Sequence, residues 1–290
     1  MKEITVISGK GGTGKTSITG CFAALAENAV VADCDVDAAD LHMLLDPQIQ
    51  ETHDFISGNI AVIREEDCIG CMECLNKCRF NAISSTDNAK CRVGVWGCEG
   101  CGVCTEVCPV NAIDFPQRHC GVWYFSHTRF GPMVHARLGI AQENSGKLVS
   151  TVRRQAAAKA AELEKELILV DGPPGIGCPV TASITGTSLV VIITEPTMSG
   201  LHDMTRVMDL ADHFSIPAAI IVNKWDINPD MTVKIEELAA GRGVSPVGRI
   251  PYDRAFTEAQ IHGRTLLEHR RGEPAENIRK IWENVCRKMR

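Results

Sequence analysis

The sequence predicts an α/β protein, a mostly parallel sheet flanked by helices, interrupted by a small cysteine-rich α+β insert. Three observations carry that expectation. Continuous apolar runs, suited to strands buried on both faces, alternate with helical stretches along most of the chain. A glycine-rich loop sits between the first such run and the first helix. A C-x2-C-x2-C-x3-C run occurs twice at a thirty-residue offset, from Cys68 to Cys98. The expected division is 1–59 and 121–290 for the larger layer and 60–120 for the insert.

Ile4 to Ile7 reads as the first buried strand and Ser17 to Glu27 as the first helix. Between them lies Gly9-Lys10-Gly11-Gly12-Thr13-Gly14-Lys15-Thr16, which fits G-x-x-x-x-G-K-[ST] in full. Strand, glycine loop and helix in that order are the context a phosphate-binding loop requires, and they argue against a loop that binds nothing. Gly9, Gly11, Gly12, Thr13 and Gly14 can turn successive backbone N–H groups around phosphate oxygens. Lys15 can reach the β- and γ-phosphates, Thr16 can ligate Mg²⁺, and Ser17 continues the positive end of the helix.

Lys10 gives the loop its second signature. K-G-G-T-G-K-T resembles the deviant Walker A of the MinD/ParA/nitrogenase-iron-protein class. That resemblance implies that Lys10 reaches the nucleotide of the facing subunit in an ATP-sandwich dimer. A solvated surface lysine is the plain alternative.

Ala29 to Ala32 reads as a second strand, running into Asp33-Cys34-Asp35-Val36-Asp37. Carboxylates at the C-terminal end of a parallel strand lie where ligands bind in such sheets. The stretch resembles the Asp-x-Asp element of MinD-type ATPases, which implies that Asp35 positions the attacking water and Asp33 supports the Mg²⁺ shell. The plain alternative is a loop that caps the next helix. Leu41 to Phe55 shows no clear period, and Asn59 to Ile63 reads as a short strand.

The composition bounds the rest. The chain has 290 residues, 44% of them apolar, with a net charge of −6 that leaves no footprint for nucleic acid. No apolar run is long enough to span a membrane, and no signal peptide precedes the first strand, so a cytoplasmic protein is expected. Fourteen cysteines in a reducing compartment read as metal ligands rather than disulfides.

Eight of them form the repeat. Cys68, Cys71, Cys74 and Cys78 are followed by Asn81-Ala82-Ile83; Cys98, Cys101, Cys104 and Cys108 are followed by Asn111-Ala112-Ile113. This is the run that holds [4Fe–4S] clusters, in which the fourth cysteine ligates the other cluster. The expected sets are therefore Cys68, Cys71, Cys74 and Cys108 for one cluster, and Cys98, Cys101, Cys104 and Cys78 for the other. Four-cysteine zinc sites use separated Cys-x2-Cys pairs instead. Arg79 stands where Pro109 follows the second run, a change that touches no ligand. The segment resembles a bacterial two-cluster ferredoxin. The other six cysteines, Cys21, Cys34, Cys91, Cys120, Cys178 and Cys286, read mostly as small core residues.

Beyond the insert, Glu143 to Lys147 lead into an Ala-rich helix over Leu148 to Glu166, then a strand at Leu167 to Val170. Asp171 follows at the Walker B position, to hold Mg²⁺, and Asp171-Gly172-Pro173-Pro174-Gly175 resembles the switch II of the MinD class. Strands follow at Leu189 to Thr194, Pro217 to Val222 and Val247 to Ile250, with a helix from Ser199 to Phe214. Asn223-Lys224-Trp225-Asp226 matches the guanine-reading N-K-x-D pattern, but the MinD resemblance implies that Asn223, with Lys224, lies at adenine, and that the Pro251-Tyr252-Asp253 turn lies near the base. Ile278, Ile281, Trp282 and Val285 recur at helical spacing. A terminal helix packed on the sheet is favoured over an amphipathic membrane helix, because Glu276 and Glu283 break the basic face.

The whole chain resembles MinD-superfamily ATPases with an inserted two-cluster ferredoxin domain. The resemblance implies Mg²⁺-dependent ATP hydrolysis, with Lys10, Lys15 and Asp35 as catalytic residues. It also implies a homodimer or a heterodimer with a paralogue, and electron delivery to a redox or metal-cofactor partner. An Mrp-like carrier or assembly factor for a metal cofactor is the second expectation, a membrane-surface positioning ATPase the third.

Overall fold

The computed structural model describes residues 1–139 and 145–289, which form two compact units. The first comprises Met1–His53, Trp123–Arg137 and Ser145–Arg290; the second is Asp54–Val122 with a short stretch that starts at Leu138.

The first unit opens with β1 (Lys2–Ser8), α1 (Lys15–Leu25), β2 (Ala29–Asp33), α2 (Leu41–Leu45) and the long β3 (Gln48–Asn59). In the second unit come β4 (Val62–Ile63), α3 (Glu73–Lys77), β5 (Ile83–Ser85), β6 (Cys91–Val93), α4 (Val103–Glu106) and β7 (Ile113–Asp114). The chain returns along β8 (Gln117–Thr128) and continues through β9 (Gly131–Leu138), α5 (Ser145–Glu162), β10 (Leu167–Pro174), α6 (Cys178–Ile184), β11 (Leu189–Thr194) and α7 (Met198–His213). It ends with β12 (Ala218–Asn223), α8 (Pro229–Gly241), β13 (Ser245–Ile250), α9 (Ala255–Ile261), α10 (Leu266–His269) and α11 (Glu273–Lys288).

Nine strands form one sheet in the order β13-β12-β11-β1-β10-β2-β9-β8-β3. The pairs from β13 through β2 are parallel, as is β2 with β9. The apolar runs are continuous because both faces are covered. On β11, Val191 and Ile193 enter a core with Phe22 and Leu169, while Val190 and Ile192 enter a second core with Met204 and Ile235. Successive side chains point to opposite faces, so a strand with a core on each side needs apolar residues at every position. Ile278, Ile281, Trp282 and Val285 of α11 are buried, with the Trp282 ring 5.0 Å from that of Phe22. The apolar stripe of that helix is thus spent on the core, and among the described residues no helix is long and apolar enough to cross a membrane.

Several elements outside the insert were not read from the sequence, among them α2, β3, β8, β9, α6, α8, α9 and α10. Gln48–Asn59 is exposed at most positions and mixes polar residues on both faces, so it carries neither an apolar run nor a clean alternation. α5 stops at Glu162 rather than Glu166. Glu164 adopts φ 51°, and the Lys165 N–H bonds the Ala160 carbonyl at 2.8 Å, a left-handed helix stop made without glycine. Glu143 and Asn144, expected to lead into this helix, lie outside the described residues. The second unit begins at Asp54, inside β3, where 60 was expected.

The second unit repeats itself. β4 pairs antiparallel with β7, and β5 with β6, so each ribbon joins one half to the other. Gly70 (φ 69°) and Gly100 (φ 62°) are equivalent, and a Cβ at either would collide with a carbonyl oxygen of the opposite half, Ala89 or Asn59. Asn81 and Asn111 both take φ 52°, which explains why the repeat keeps asparagine there.

Candidate functional site

The phosphate-type loop follows β1, and Gly14 stands at the head of α1 with φ 88°. A Cβ on Gly14 would fall 2.5 Å from Asn223 Nδ2, so the position is closed to other residues on two counts. Asn223, at the end of β12, donates through Nδ2 to the Thr13 carbonyl (2.8 Å) and accepts the Lys224 N–H on Oδ1 (3.0 Å). One amide hydrogen and one lone pair of its side chain remain free of these two bonds.

The loop borders a cleft of about 410 Å³. Of the residues expected at a nucleotide, Gly11, Gly12, Thr13, Gly14, Lys15, Thr16, Ser17, Asp35, Asn223, Lys224 and Pro251 line it. Asp40, Tyr252, Asp253, Phe256, Thr257 and Gln260 also line it and carried no independent sequence signal of their own, apart from the turn after Pro251. Phe256 and Gln260 are four apart on α9, and Gln260 Nε2 donates to Ser17 Oγ at 2.8 Å.

Gly9 and Lys10 do not line the cleft. Gly9 lies against Asp203 of α7. Lys10 Nζ pairs with Glu195 Oε2 at 3.4 Å and donates to Ser199 Oγ at 3.1 Å. Lys224 also pairs with Glu195.

Asp171 and Asp33, register partners on β10 and β2, are buried and do not line the cleft themselves; Lys15, Thr16 and Asp35, which do, stand next to them. Lys15 Nζ lies 2.9 Å from Asp171 Oδ1 and 3.3 Å from Asp35 Oδ2. Thr16 Oγ1 donates to Asp171 Oδ2 (3.1 Å), and Thr19 Oγ1 to Asp171 Oδ1 (2.9 Å). Burial would lower the Lys15 pKa, but Asp171 and Asp35 outweigh it and hold the ammonium charged. Burial raises Asp33 well above the usual carboxylate range, and the neighbouring Asp171 raises it further. Burial also raises Asp35, against the pull of Lys15. Asp33 Oδ2 and Thr13 Oγ1 are buried without a hydrogen-bond partner. Two carboxylates thus pair with the Lys15 ammonium, and the third, Asp33, is buried beside Asp171 with one oxygen unpartnered; among the described residues no three His, Cys, Asp or Glu side chains close on one ion position.

In the second unit the repeated cysteines separate into two cavities. Cys68, Cys71, Cys74 and Cys108 line one, among Ile63, Ile69 and Ile113. Cys78, Cys98, Cys101 and Cys104 line the other, among Phe80, Ile83 and Phe115. Each cavity takes three cysteines from one half and the last cysteine of the other. The backbone N–H groups of Ala82 and Ala112 point at the sulfurs of Cys78 and Cys108 (3.4 and 3.3 Å), at matching places in the two halves. Among the described residues, no three or more His, Cys, Asp or Glu side chains close on a single ion position. Of the six remaining cysteines, Cys21, Cys34, Cys91 and Cys120 are buried; Cys178 is exposed and Cys286 half-buried.

A parallel α/β sheet with a glycine loop at the C-terminal end of its first strand, and carboxylates on neighbouring strands, defines a P-loop nucleotide-binding protein. The chain belongs to the CobQ/CobB/MinD/ParA nucleotide-binding domain family, whose model matches residues 4–266. MinD/ParA proteins are nucleotide-hydrolysing ATPases. Two relatives are uncharacterized proteins of Methanocaldococcus jannaschii. MJ0578 is 34% identical over 231 residues, covering 79% of this chain and 80% of the relative. MJ0579 is 24% identical over 287 residues, covering 93% of each. The septum site-determining protein MinD of Pyrococcus horikoshii, complexed with Mg-ADP, has the same fold, with a TM-score of 0.57 at 16% identity over 98% of this chain and 95% of that one.

Proposed function

We propose that this chain is a Mg²⁺-dependent ATPase with a deviant Walker A loop. In this reading it dimerises on ATP and couples hydrolysis to low-potential electron transfer through two [4Fe–4S] clusters to a partner protein. The observation that carries the reading is the crossed partition of eight cysteines into two cavities, in a chain that also has a complete P-loop site.

At the nucleotide, the loop N–H groups and Lys15 bind phosphate oxygens, Thr16 and Asp171 hold Mg²⁺, and Asp35 orients the attacking water. Lys15 starts from a bridge to Asp171 and Asp35, so an entering phosphate exchanges one anionic partner for another without stranding a buried charge. Lys10, turned out of its own cleft, is available to the nucleotide of a facing subunit. That subunit is a second copy or a paralogue; the two M. jannaschii relatives give one organism a pair of such chains.

Adenine is favoured over guanine. Asp226, which would read guanine in an N-K-x-D site, accepts the Tyr252 N–H at 2.6 Å and is absent from the lining of the cleft. Asn223, Lys224 and Pro251 surround the base instead.

The cysteine cavities fit a cubane better than zinc. One offers the four repeat thiols with Cys91 beside them, the other four thiols, on apolar walls and, among the described residues, set around a space rather than closed on one ion. A cluster held there supplies a one-electron carrier. The chain's own part is to fix the ligands, exclude water with the isoleucines and phenylalanines, and aim N–H groups at the sulfurs.

Anaerobic purification with adequate iron tests this reading. About eight irons and eight sulfides per chain are expected, with ATPase activity that requires Mg²⁺. Stoichiometric zinc with iron near zero would refute the cluster assignment.

A further inference from the structure

One carboxylate stands between two lysines beside the glycine loop. Glu195 is the first residue after β11, with 14% of its side chain exposed. Its Oε2 takes Lys10 Nζ at 3.4 Å, and its Oε1 takes Lys224. Lys10 also donates to Ser199 Oγ, and Lys224 Nζ to the Gly12 carbonyl at 3.4 Å. The carboxylate therefore links a lysine turned away from the cleft to one that lines it.

The mount of Glu195 is rigid. Thr194 Oγ1 donates to the Gly200 carbonyl at 3.0 Å, and Thr197 Oγ1 caps α7 by accepting the Gly200 N–H at 2.9 Å. The Glu195 carbonyl packs so close to Gly200 that a Cβ there would fall 2.3 Å from its oxygen. Strand end, turn and helix start are thus tied together, and the carboxylate has little room to follow a lysine that leaves. An ammonium that moves from Glu195 to a phosphate exchanges one anion for another. The cost of release therefore falls on the largely buried carboxylate left behind. Lys224, on the other oxygen, keeps that carboxylate paired.

We propose that Glu195 is a positioning residue for Lys10: it parks the ammonium on its own chain and yields it to the nucleotide of a second copy, while Lys224 keeps the carboxylate paired through the exchange. Lys10 is then spent only in the dimer, and the strength of its pair with Glu195 sets how readily the dimer forms.

This inference rests on the ATP-driven dimer proposed above, and the test separates the two. The full chain is sedimented with Mg²⁺ and a saturating non-hydrolysable ATP analogue, alongside Glu195→Gln, Lys10→Ala, Lys224→Met and the double variants with Glu195→Gln. An ion pair this open to water holds an equilibrium by about threefold to fivefold, and two copies release two pairs. Glu195→Gln should therefore tighten the dimer by about tenfold to twenty-five-fold. Lys224→Met should loosen it, because release then strands the carboxylate, and adding Glu195→Gln should restore it. Lys10→Ala loses the dimer, and adding Glu195→Gln should recover none. In the single chain without nucleotide, Lys10 of Glu195→Gln should be acetylated about threefold to fivefold faster than in the parent, measured against the exposed Lys234. A parent that stays single refutes the sandwich dimer, and this inference with it. In a parent that dimerises, an unchanged or weaker dimer in Glu195→Gln overturns the proposal. So does recovery of the dimer in Lys10→Ala by Glu195→Gln, or unchanged acetylation of Lys10.

Discussion

Replacing Lys10 with alanine should leave ATP binding by the single chain intact while removing hydrolysis and ATP-driven dimerisation. Lys10 lies outside its own cleft, on Glu195 and Ser199, with 32% of its side chain exposed. An ion pair that open to water contributes under about 1 kcal/mol. The thermal midpoint should therefore move by a few degrees at most, since ~1 kcal/mol is about 2–4 °C in a chain of this size. The role across a dimer is of another magnitude. A cation supplied to the transition state by a facing subunit accelerates phosphoryl transfer by about 10³–10⁵, and at ~1.36 kcal/mol per tenfold the lower figure is already about 4 kcal/mol. Nucleotide affinity by calorimetry, turnover by phosphate release and mass by sedimentation, each with and without ATP, give three independent readings. Lys15→Ala is the contrast: it removes the buried ammonium between Asp171 and Asp35 and should weaken binding itself. Hydrolysis and dimerisation at parental levels in Lys10→Ala would make Lys10 an ordinary surface lysine and remove the chief support for a sandwich dimer.

Three further outcomes are expected. In competition binding, ATP should displace GTP, and Asp226→Asn should leave the preference unchanged because an amide oxygen can still accept the Tyr252 N–H; tighter GTP binding by the parent would contradict the adenine reading. Burial, aided by the nearby His42, pushes His135 down to about 4, so between pH 6.5 and 4 the unfolded chain takes up a proton that the native one refuses. Stability should fall by about 3 kcal/mol as pH drops through that window, and His135→Gln, which lacks the titrating ring, should flatten that part of the curve; parallel unfolding curves for the two would refute it. Gly70→Ala or Gly100→Ala puts a Cβ against the opposite half at a positive φ and should cost the second unit its fold, read as iron below the parental content; full iron in both would show that the two halves can separate there.

The layer and its phosphate loop were legible in the sequence because their signals are local. A strand buried on both faces must be apolar at consecutive positions, and β1, β10, β11 and β12 each are. The P-loop needs particular residues at fixed spacing, so Gly14, Lys15 and Thr16 could be placed before any contact was seen. The crossed cysteine sets were legible for the same reason, since the spacing lets three sulfurs of one short loop face one space and sends the fourth elsewhere. β3 escaped because a strand that is largely exposed and polar carries no run and no strict alternation.

What the tertiary structure alone decided are the non-local partners. The resemblance assigned Lys10 to the nucleotide of a facing subunit; its hold on Glu195, 185 residues away along the chain, needed the fold to bring the segment after β11 beside the loop. Asp226 completed a guanine-reading pattern on paper, and only the approach of the Tyr252 backbone turned its carboxylate to another use. Cys91 read as one of several scattered core thiols, and pairing β5 with β6 carried it into the cavity of Cys68, Cys71, Cys74 and Cys108. Local spacing encodes which groups can bind; which of them are free to do so depends on side chains that meet only when distant strands pair.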